Sequence, residues 1–259
     1  IGEPQNFELI RILLQMITQA DSHESLKNSL ANLANENLQA LTTSASLERL
    51  KRVETLMREN LNNGKEEFWQ QTVFNENQWV LAQIFSCPCT IYAQKAFVGG
   101  KSLNNKGGNV CDFIYRNKMT QNVALIEIKT PCTEIVGKPY RETYSMSLDM
   151  SGAVNQVLNY RDELQKNFNE LTRDLEDDDT VRSFSPKCVI VIGKINTLNA
   201  KQQKAFELYR NSFNNLTIIT FDELHQKICD LISVFKEDTP RPDDPLMDEF
   251  SIIDEDYPF

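Results

Sequence analysis

Two apolar, strand-like segments joined by a polar turn carry two acids and a lysine. Because side chains alternate along a strand, Glu127 and Lys129 should point to the same face of a sheet. A symmetric turn pairs Arg116 with Val123 in an antiparallel hairpin. In that register Asp112 lies opposite Glu127, with the two side chains roughly 5 Å apart.

Two carboxylates this close repel each other, so the pair indicates that something binds between them. A divalent cation fits, because hard cations prefer carboxylate oxygens. A metal ion, two acids and a lysine are the groups that a phosphodiester-cleaving nuclease uses. Asp112, Glu127 and Lys129 therefore predict a metal-dependent nuclease. Two alternatives stay open: a DNA-binding or scaffold module with a degenerate, inactive site, and an unrelated α/β protein with a surface salt-bridge cluster.

Charge is distributed unevenly along this acidic chain, whose net charge is -10. Eight basic residues and three acids lie between Phe85 and Arg141, whereas residues 236–259 carry nine acids and two bases. A locally positive segment around the acids and the lysine is typical of phosphate contact. The candidate DNA-contacting residues in it are Lys95, Lys101, Lys106, Lys118, Lys138 and Arg141.

The order of predicted elements describes a mixed sheet flanked by helices. Apolar residues at helical spacing predict helical stretches over 6–62 and 65–85. After them we expect strands over 90–98, 110–116 and 123–129, an irregular segment over 132–148, a helix over 149–169, a strand over 187–193, a helix over 199–213, a strand over 216–220 and a helix over 221–235. A glycine-rich hairpin loop over 99–108 joins the first two strands. This pattern predicts an α/β fold.

The helix predicted over 149–169 carries two further candidates. Gln156 and Tyr160 are four residues apart, so they share one helical face. The amide of Gln156 can donate to a phosphate or hold a water, and Tyr160 can stack on a base or donate a hydrogen bond. The simpler interpretation is that Tyr160 packs in the core and Gln156 is exposed.

Six cysteines and the absence of a long apolar run limit the location of the chain. The cysteines form no C-x-x-C pair, and most lie in apolar runs, which predicts buried free thiols in a reducing cytoplasm. A metal or redox site at Cys87 and Cys89 is the alternative, and only His23 and His225 could assist in binding zinc. No run of about 18 apolar residues occurs, so we expect no membrane span.

The ordered set of residues resembles a known superfamily. Asp112, then Ile-Glu127-Ile-Lys129, followed by a helix with Gln156 and Tyr160, is similar to the restriction-endonuclease-like superfamily, also called PD-(D/E)xK. Cys111 stands where the superfamily name has proline, a position that varies among its members. The expected fold is therefore a restriction-endonuclease-like mixed β-sheet flanked by helices.

Two further segments narrow the resemblance. Glu67-x-Trp69-Gln70 precedes the strands, and a Val-Ile-Val-Ile-Gly193 strand follows them. With the acids and the lysine they resemble the Shedu family of bacterial anti-phage nucleases, over roughly residues 65–235. The resemblance implies magnesium-dependent cleavage of double-stranded phage DNA in the bacterial cytoplasm, with manganese as a substitute for magnesium.

The resemblance also implies a role for each site residue. Asp112 and Glu127 would hold the metal, and Lys129 would orient the attacking water or stabilise transition-state charge. Glu67 would be an additional acid near the metal, with Glu66 as the alternative because the helix phase is uncertain by one residue. Gln156 would be an accessory contact from the flanking helix.

Three segments follow from these patterns. Residues 1–62 are predicted to form a helical segment for oligomerisation or regulation, residues 63–236 the nuclease domain, and residues 237–259 an acidic tail. The tail could mimic phosphates and block the site, mediate subunit contacts, or only solubilise the chain. Apolar faces on the N-terminal helices favour a homo-oligomer, either a dimer or a tetramer.

Overall fold

The computed structural model describes residues 45–101, 107–176 and 180–237. The chain divides into two compact units, Ile1–Lys51 and Arg52–Phe259. In the first unit the described residues, 45–51, are helical. The helical stretch predicted before residue 45 and the acidic tail lie outside the described residues, and the domain boundaries at 62 and 236 stay predictions.

A five-stranded mixed sheet organises the second unit. The strands of the unit are β1 (Cys89–Lys101), β2 (Gly107–Asn117), β3 (Asn122–Ile128), β4 (Val136–Tyr140), β5 (Thr143–Met146), β6 (Arg182–Val191) and β7 (Leu216–Ile219). The main sheet has the order β1-β2-β3-β6-β7, and β4 pairs with β5 in a separate hairpin. The first two pairings are antiparallel and the last two are parallel. β3 is therefore the central strand.

Six helices accompany the strands in the described part of the second unit. They are α1 (52–60), α2 (Phe68–Asn75, a π-helix), α3 (Trp79–Ala82), α4 (Leu148–Leu171), α5 (Ala200–Arg210) and α6 (Phe221–Glu237). The predicted helix over 65–85 is wrong as one continuous element. The side chain of Asn77 donates to the carbonyl of Val73 at 2.9 Å. Such a side-chain bond competes with regular helical bonding, and turns separate α2 from α3.

The segment over 132–148 is not irregular, as predicted, but contains the β4–β5 hairpin. Gly137 and Pro139 hide the strand signal in the sequence, although Pro139 pairs with Tyr144 in the hairpin. The predicted loop over 99–108 is also shorter, because β1 and β2 extend to Lys101 and from Gly107. Positive φ angles along this glycine-rich stretch are compatible with extended pairing there.

Helix α4 covers one face of the sheet. Its apolar residues, including Val154, Val157 and Leu164, belong to the same buried cluster as Leu125 of β3. Glu127 is two residues beyond Leu125 in a strand, so it points to that same face. The packing therefore brings the helix that carries Gln156 over the strand that carries Glu127.

An aromatic cluster fixes α2 in place. The rings of Trp69 and Phe221 lie 4.6 Å apart between centroids, and Phe74 packs beside both. The indole nitrogen of Trp69 donates to the carbonyl of Asn63 at 2.9 Å. All three rings are fully buried. The cluster thus joins α2 to α6 and holds the segment that carries Glu66 and the other polar residues near the site.

The cysteines only partly follow the prediction of buried thiols. Cys111 and Cys188 are buried, whereas Cys87 and Cys132 are exposed. The buried two lie within sheet strands and the exposed two in connecting segments, where an apolar neighbour in sequence does not ensure burial. Within the ranges that the structure describes, no helix combines the length and apolar character needed to cross a membrane.

Ser147 begins α4 and gives a first prediction. Its hydroxyl accepts from the backbone N–H of Met150 at 2.9 Å and donates to the carbonyl of Glu134. Ser147→Ala removes this N-cap and should lower the free energy of unfolding by about 1–2 kcal/mol. Urea denaturation measures it. Ser233→Ala, at an exposed position within α6, is the control and should change stability by less than about 0.5 kcal/mol; equal effects would contradict the capping role.

Candidate active site

Three adjacent strands place Lys95, Asp112 and Glu127 in one row across the sheet. The flanking pairs of β1 with β2 put Lys95 opposite Asp112, and those of β2 with β3 put Asp112 opposite Glu127. Arg116 pairs with Val123, so the symmetric turn expected from the sequence is confirmed. The row therefore consists of an ammonium and two carboxylates on neighbouring strands.

Asp112 is held by a contact to each carboxylate oxygen. Its Oδ1 lies 2.6 Å from the ammonium of Lys95, and its Oδ2 accepts from the backbone N–H of Ile128 at 2.8 Å. The residue is 5% exposed. Lys95, in contrast, has a side chain that is 54% exposed, so it can leave the carboxylate at little cost. Asp112 is thus a fixed carboxylate with one exchangeable partner.

Glu127 has one satisfied and one unsatisfied oxygen. Its Oε1 accepts from the ammonium of Lys129 at 2.8 Å. Its Oε2 is buried and has no hydrogen-bond partner among the described residues. Buried polar atoms are rarely left unpaired, and each such atom is unfavourable. This oxygen, on the face shared with Asp112, is therefore available to bind a cation or a hydrogen-bond donor.

Burial changes the acidity of Glu127. Desolvation, and secondarily the charge of Asp112, together raise the pKa of Glu127 from 4.5 to about 7, against the lowering effect of Lys129. Burial lowers the pKa of Lys129, but its hydrogen bond to Glu127 and the surrounding carboxylates outweigh that effect and raise it overall. Lys129 therefore stays an ammonium ion near neutral pH.

These side chains open into a polar cavity of about 430 Å³. Its lining contains four carboxylates, two ammonium groups and three amides: Glu66, Glu67, Asp112, Glu127, Lys95, Lys129, Gln70, Gln71 and Gln156, with Val110. A second cavity of about 540 Å³ shares Glu66, Lys129 and Gln156 with the first. The two cavities together give the carboxylate pair an open approach from solvent.

The structure distinguishes between Glu66 and Glu67, the two candidate acids in the helical segment before the strands. Glu66 Oε1 lies 3.8 Å from the Lys129 ammonium. Glu67 lines the same cavity, but its Oε1 accepts from Gln71 at 3.3 Å. Glu66 is therefore the acid that approaches the Glu-x-Lys pair, and a role for either stays a prediction.

Gln156 and Tyr160 lie on one helical face, as their spacing predicts, and they contact each other there. The Gln156 amide donates to the Tyr160 hydroxyl, and Gln156 lines both cavities. Tyr160 is only 7% exposed and belongs to the hydrophobic cluster beneath α4. The prediction that Tyr160 stacks on a base is therefore wrong, because its ring is buried in the core. Its hydroxyl instead orients Gln156 toward the cavity.

The predicted basic residues do not form one patch around the site. Lys95 lies in the central row, but Lys118 is in the β2–β3 turn, six residues or roughly 20 Å along β2 from Asp112. Lys138 and Arg141 are exposed on the β4–β5 hairpin, where Arg141 lies over the ring of Tyr140. Lys118, Lys138 and Arg141 do not line either of the two cavities.

Two of the predicted DNA contacts remain without a structural description. The backbone of Lys101 ends β1, and Lys106 lies outside the described residues. Among the basic residues whose side chains the structure describes, Lys95 alone lies in the row of carboxylates. The contact of Lys95 with Asp112 does not follow from the sequence, because the β1–β2 register contains two shifts that no sequence pattern marks.

The donor set fits a hard divalent cation. Asp112 and Glu127 present carboxylate oxygens side by side, one of them unpaired, and Mg²⁺ commonly takes one or two protein carboxylates while keeping water ligands. A cation there would also relieve the repulsion that raises the pKa of Glu127. Asp112 and Glu127 are thus the residues that would hold magnesium or manganese.

The mixed sheet, with its acid, Glu-x-Lys strand and covering helix, defines a restriction-endonuclease-like fold. A family model described as "Shedu protein SduA, C-terminal" matches residues 63–225. The chain is also similar to "Shedu protein SduA" of Bacillus cereus (strain B4264), with 35% identity over 243 residues, or 90% of this chain and 63% of that protein. The chain belongs to the Shedu family, and it spans less than two thirds of the length of this curated relative.

Proposed function

We propose that this chain is a metal-dependent DNA endonuclease that acts in bacterial anti-phage defence. The observation that carries the proposal is the unpaired, buried Oε2 of Glu127 on the face shared with Asp112, with the Lys129 ammonium attached to the same carboxylate. Membership of the Shedu family supports the setting in defence. The substrate would be double-stranded DNA.

Each residue contributes a distinct part of the reaction. Asp112 and Glu127 would hold Mg²⁺, or Mn²⁺ in its place. The bound cation lowers the pKa of a water and neutralises charge on the scissile phosphate. Lys129 holds the orientation of Glu127 and presents a positive charge to the phosphate or the attacking water, where such a charge stabilises the transition state.

Two other side chains would assist these three. Glu66 lies close enough to Lys129 to keep its ammonium at the cavity mouth. Gln156, oriented by the Tyr160 hydroxyl, would offer its carbonyl oxygen or an amide hydrogen to a water or a phosphate oxygen. Lys95 would be able to contact a DNA phosphate instead of Asp112, because its side chain is more than half exposed.

Assembly and location belong to the same proposal. A nuclease that cuts both strands of a duplex gains from two active sites, so we propose a homo-oligomer, either a dimer or a tetramer. Its place of action would be the bacterial cytoplasm, where phage DNA enters. The acidic tail over 237–259 could mimic phosphates at the cavity that Lys95 and Lys129 line until DNA arrives, and deletion of the tail should then raise DNA affinity and cleavage rate.

Lys129→Met is the variant that tests the proposed chemistry. Supercoiled and linear DNA are incubated with the full chain in Mg²⁺, in Mn²⁺ and in EDTA. We expect cleavage only with metal, and a roughly 10²- to 10³-fold lower rate in the variant, since a charge that stabilises the transition state is lost. The matched control is Lys166→Met, an exposed lysine on α4 paired with Asp162. Equal rates in Lys129→Met and wild type would contradict the role of Lys129.

A metal-independent DNA-binding module is the second candidate. The ion pair between Lys95 and Asp112 favours it, because an internal cation already neutralises one carboxylate. Such a module would bind DNA equally well in Mg²⁺ and in EDTA and would leave both supercoiled and linear DNA intact. Metal-dependent cutting that Lys129→Met abolishes would exclude this candidate.

A further inference from the structure

We infer that Glu54, His225 and Cys229 form a zinc-binding site that joins α1 to α6. None of the three residues lines either of the cavities at the candidate active site. One carboxylate, one imidazole and one thiol supply the donor types that zinc takes in proteins. The site is independent of the proposed nuclease function and would hold whether or not the chain cleaves DNA.

The geometry of α6 brings two of the ligands together. His225 and Cys229 are four residues apart on one helix, so both side chains lie on the same face. The Cys229 Sγ is 3.8 Å from the His225 Nε2. This arrangement needs no rearrangement of the backbone, because consecutive turns of a regular helix already align the two donors.

Glu54 completes the group from a different helix. Its Oε1 lies 3.0 Å from the His225 Nε2, although the two residues are 171 positions apart in the sequence. One ligand atom from each of the three residues lies within 4.8 Å of the others. The side chains of Glu54 and His225 are 17% and 16% exposed, so the group is sheltered yet open to an ion from solvent.

The separations of the Glu54 and Cys229 donor atoms from His225 Nε2 are close to those between ligands of a tetrahedral zinc ion. Zinc bonds of about 2.0 Å to nitrogen or oxygen and about 2.3 Å to sulfur place neighbouring ligand atoms roughly 3.3–3.6 Å apart. The observed separations of 3.0 and 3.8 Å bracket this range. The third separation, between a Glu54 carboxylate oxygen and the Cys229 Sγ, is at most 4.8 Å, so side-chain rotation would bring the three donors around one ion, with water in the fourth position.

Donor chemistry separates this site from the carboxylate pair at Asp112 and Glu127. A thiolate and an imidazole select zinc over magnesium, which prefers oxygen ligands throughout. Binding forms a sulfur–zinc bond and releases the thiol proton of Cys229 to solvent. Zinc affinity should therefore increase with pH.

Neighbouring side chains both orient the Glu54 carboxylate and compete with zinc for it. Thr55 donates to the second oxygen of Glu54 at 3.3 Å, which orients the carboxylate. Arg58 lies 3.7 Å from the ligating oxygen and competes for it. The Arg58 side chain is 58% exposed, so an incoming cation can displace it into solvent. An ordinary ion pair of Glu54 with His225, without metal, is the rival interpretation.

A cobalt titration tests the site with a readout that nuclease activity does not affect. The full chain is saturated with Mg²⁺ to fill oxygen-only sites, and Co²⁺ is added while the near-ultraviolet thiolate-to-cobalt absorption is followed. We expect one cobalt per chain with this band, and loss of the band in Cys229→Ser. A wild-type chain without the band, or a band that survives in Cys229→Ser, would overturn the proposal.

Matched variants test whether the Cys87–Cys89 pair binds the cobalt instead, and they distinguish loss of zinc binding from loss of the fold. The double variant Cys87→Ser/Cys89→Ser removes the close thiol pair, whose sulfurs lie 3.6 Å apart, and should keep the band. Zinc should raise the thermal midpoint of wild type, because it binds the native state, and should not raise that of a folded His225→Gln variant. Loss of this ligand should weaken zinc binding by more than the roughly 10- to 100-fold typical of an outer-shell partner. Equal midpoint shifts in both proteins would contradict the site.

Discussion

Asp112→Asn should lower the rate of DNA cleavage about 10²- to 10³-fold or more while the fold survives. The amide keeps the shape of the side chain and an oxygen to accept from the N–H of Ile128, but it removes the charge that faces a cation. It also removes the ion pair with Lys95, which is half exposed and contributes little to stability. Activity and stability should therefore separate clearly in this variant.

The control for Asp112→Asn is Asp162→Asn on the exposed surface of α4, where Asp162 pairs with Lys166. Single-turnover cleavage of a linear duplex gives the rate, and the thermal midpoint in EDTA reports the fold. We expect Asp162→Asn to cleave at the wild-type rate. An Asp112→Asn protein that is folded and cleaves as fast as Asp162→Asn would remove Asp112 from the mechanism.

Glu127→Gln should stabilise the metal-free protein at pH 8 by about 1–3 kcal/mol, although it should abolish cleavage. Burial, and secondarily the charge of Asp112, raises the pKa of Glu127 from 4.5 to about 7. At pH 8 the native protein therefore carries a buried carboxylate that disfavours the folded state. Glutamine keeps the shape and an acceptor oxygen for Lys129 without that charge.

The sign of this effect depends on pH. A carboxyl whose native pKa lies above its unfolded value binds its proton more tightly in the native state. Its contribution to stability is complete below about pH 4.5 and is lost as the pH rises through about 7. Glu127→Gln should therefore match wild type near pH 5 and exceed it at pH 8.

Urea denaturation in EDTA at pH 5 and pH 8 measures this difference for wild type and Glu127→Gln. Mg²⁺ should narrow the gap at pH 8, because the ion stabilises only the protein that keeps its carboxylate ligand. Glu170→Gln, at an exposed position on α4, is the control for loss of a carboxylate and should show no comparable dependence on pH. Destabilisation by Glu127→Gln at both pH values would contradict the picture of a strained, buried charge.

The geometry of a single hairpin was enough to predict that Asp112 and Glu127 lie side by side in the candidate site. Strand periodicity and a symmetric turn placed Asp112 opposite Glu127, and the structure has that register. The spacing of Gln156 and Tyr160 likewise predicted that they share one helical face, where the structure shows them in contact. Within one hairpin or one helix, side-chain direction follows from backbone geometry alone, so no knowledge of tertiary packing is needed.

Features that depend on packing between distant segments could not be predicted from the sequence. Burial of Tyr160 depends on which face of α4 meets the sheet, and the contact of Lys95 with Asp112 depends on register shifts in β1. The group of Glu54 with His225 and Cys229 joins segments far apart in the chain. Loop-like glycines and prolines hid the β4–β5 hairpin for a similar reason, since pairing rather than composition defines those strands.

The most direct test of the central claim is a titration of Mn²⁺ into the full chain, followed by electron paramagnetic resonance, which counts free Mn²⁺. Wild type and Asp112→Asn are compared without added zinc, since both proteins keep the thiol-containing site and zinc would compete with manganese for carboxylates. The account predicts that wild type binds manganese at a site that Asp112→Asn lacks, and that cleavage rises with its occupancy. Equal manganese binding by both proteins would contradict a metal site between Asp112 and Glu127.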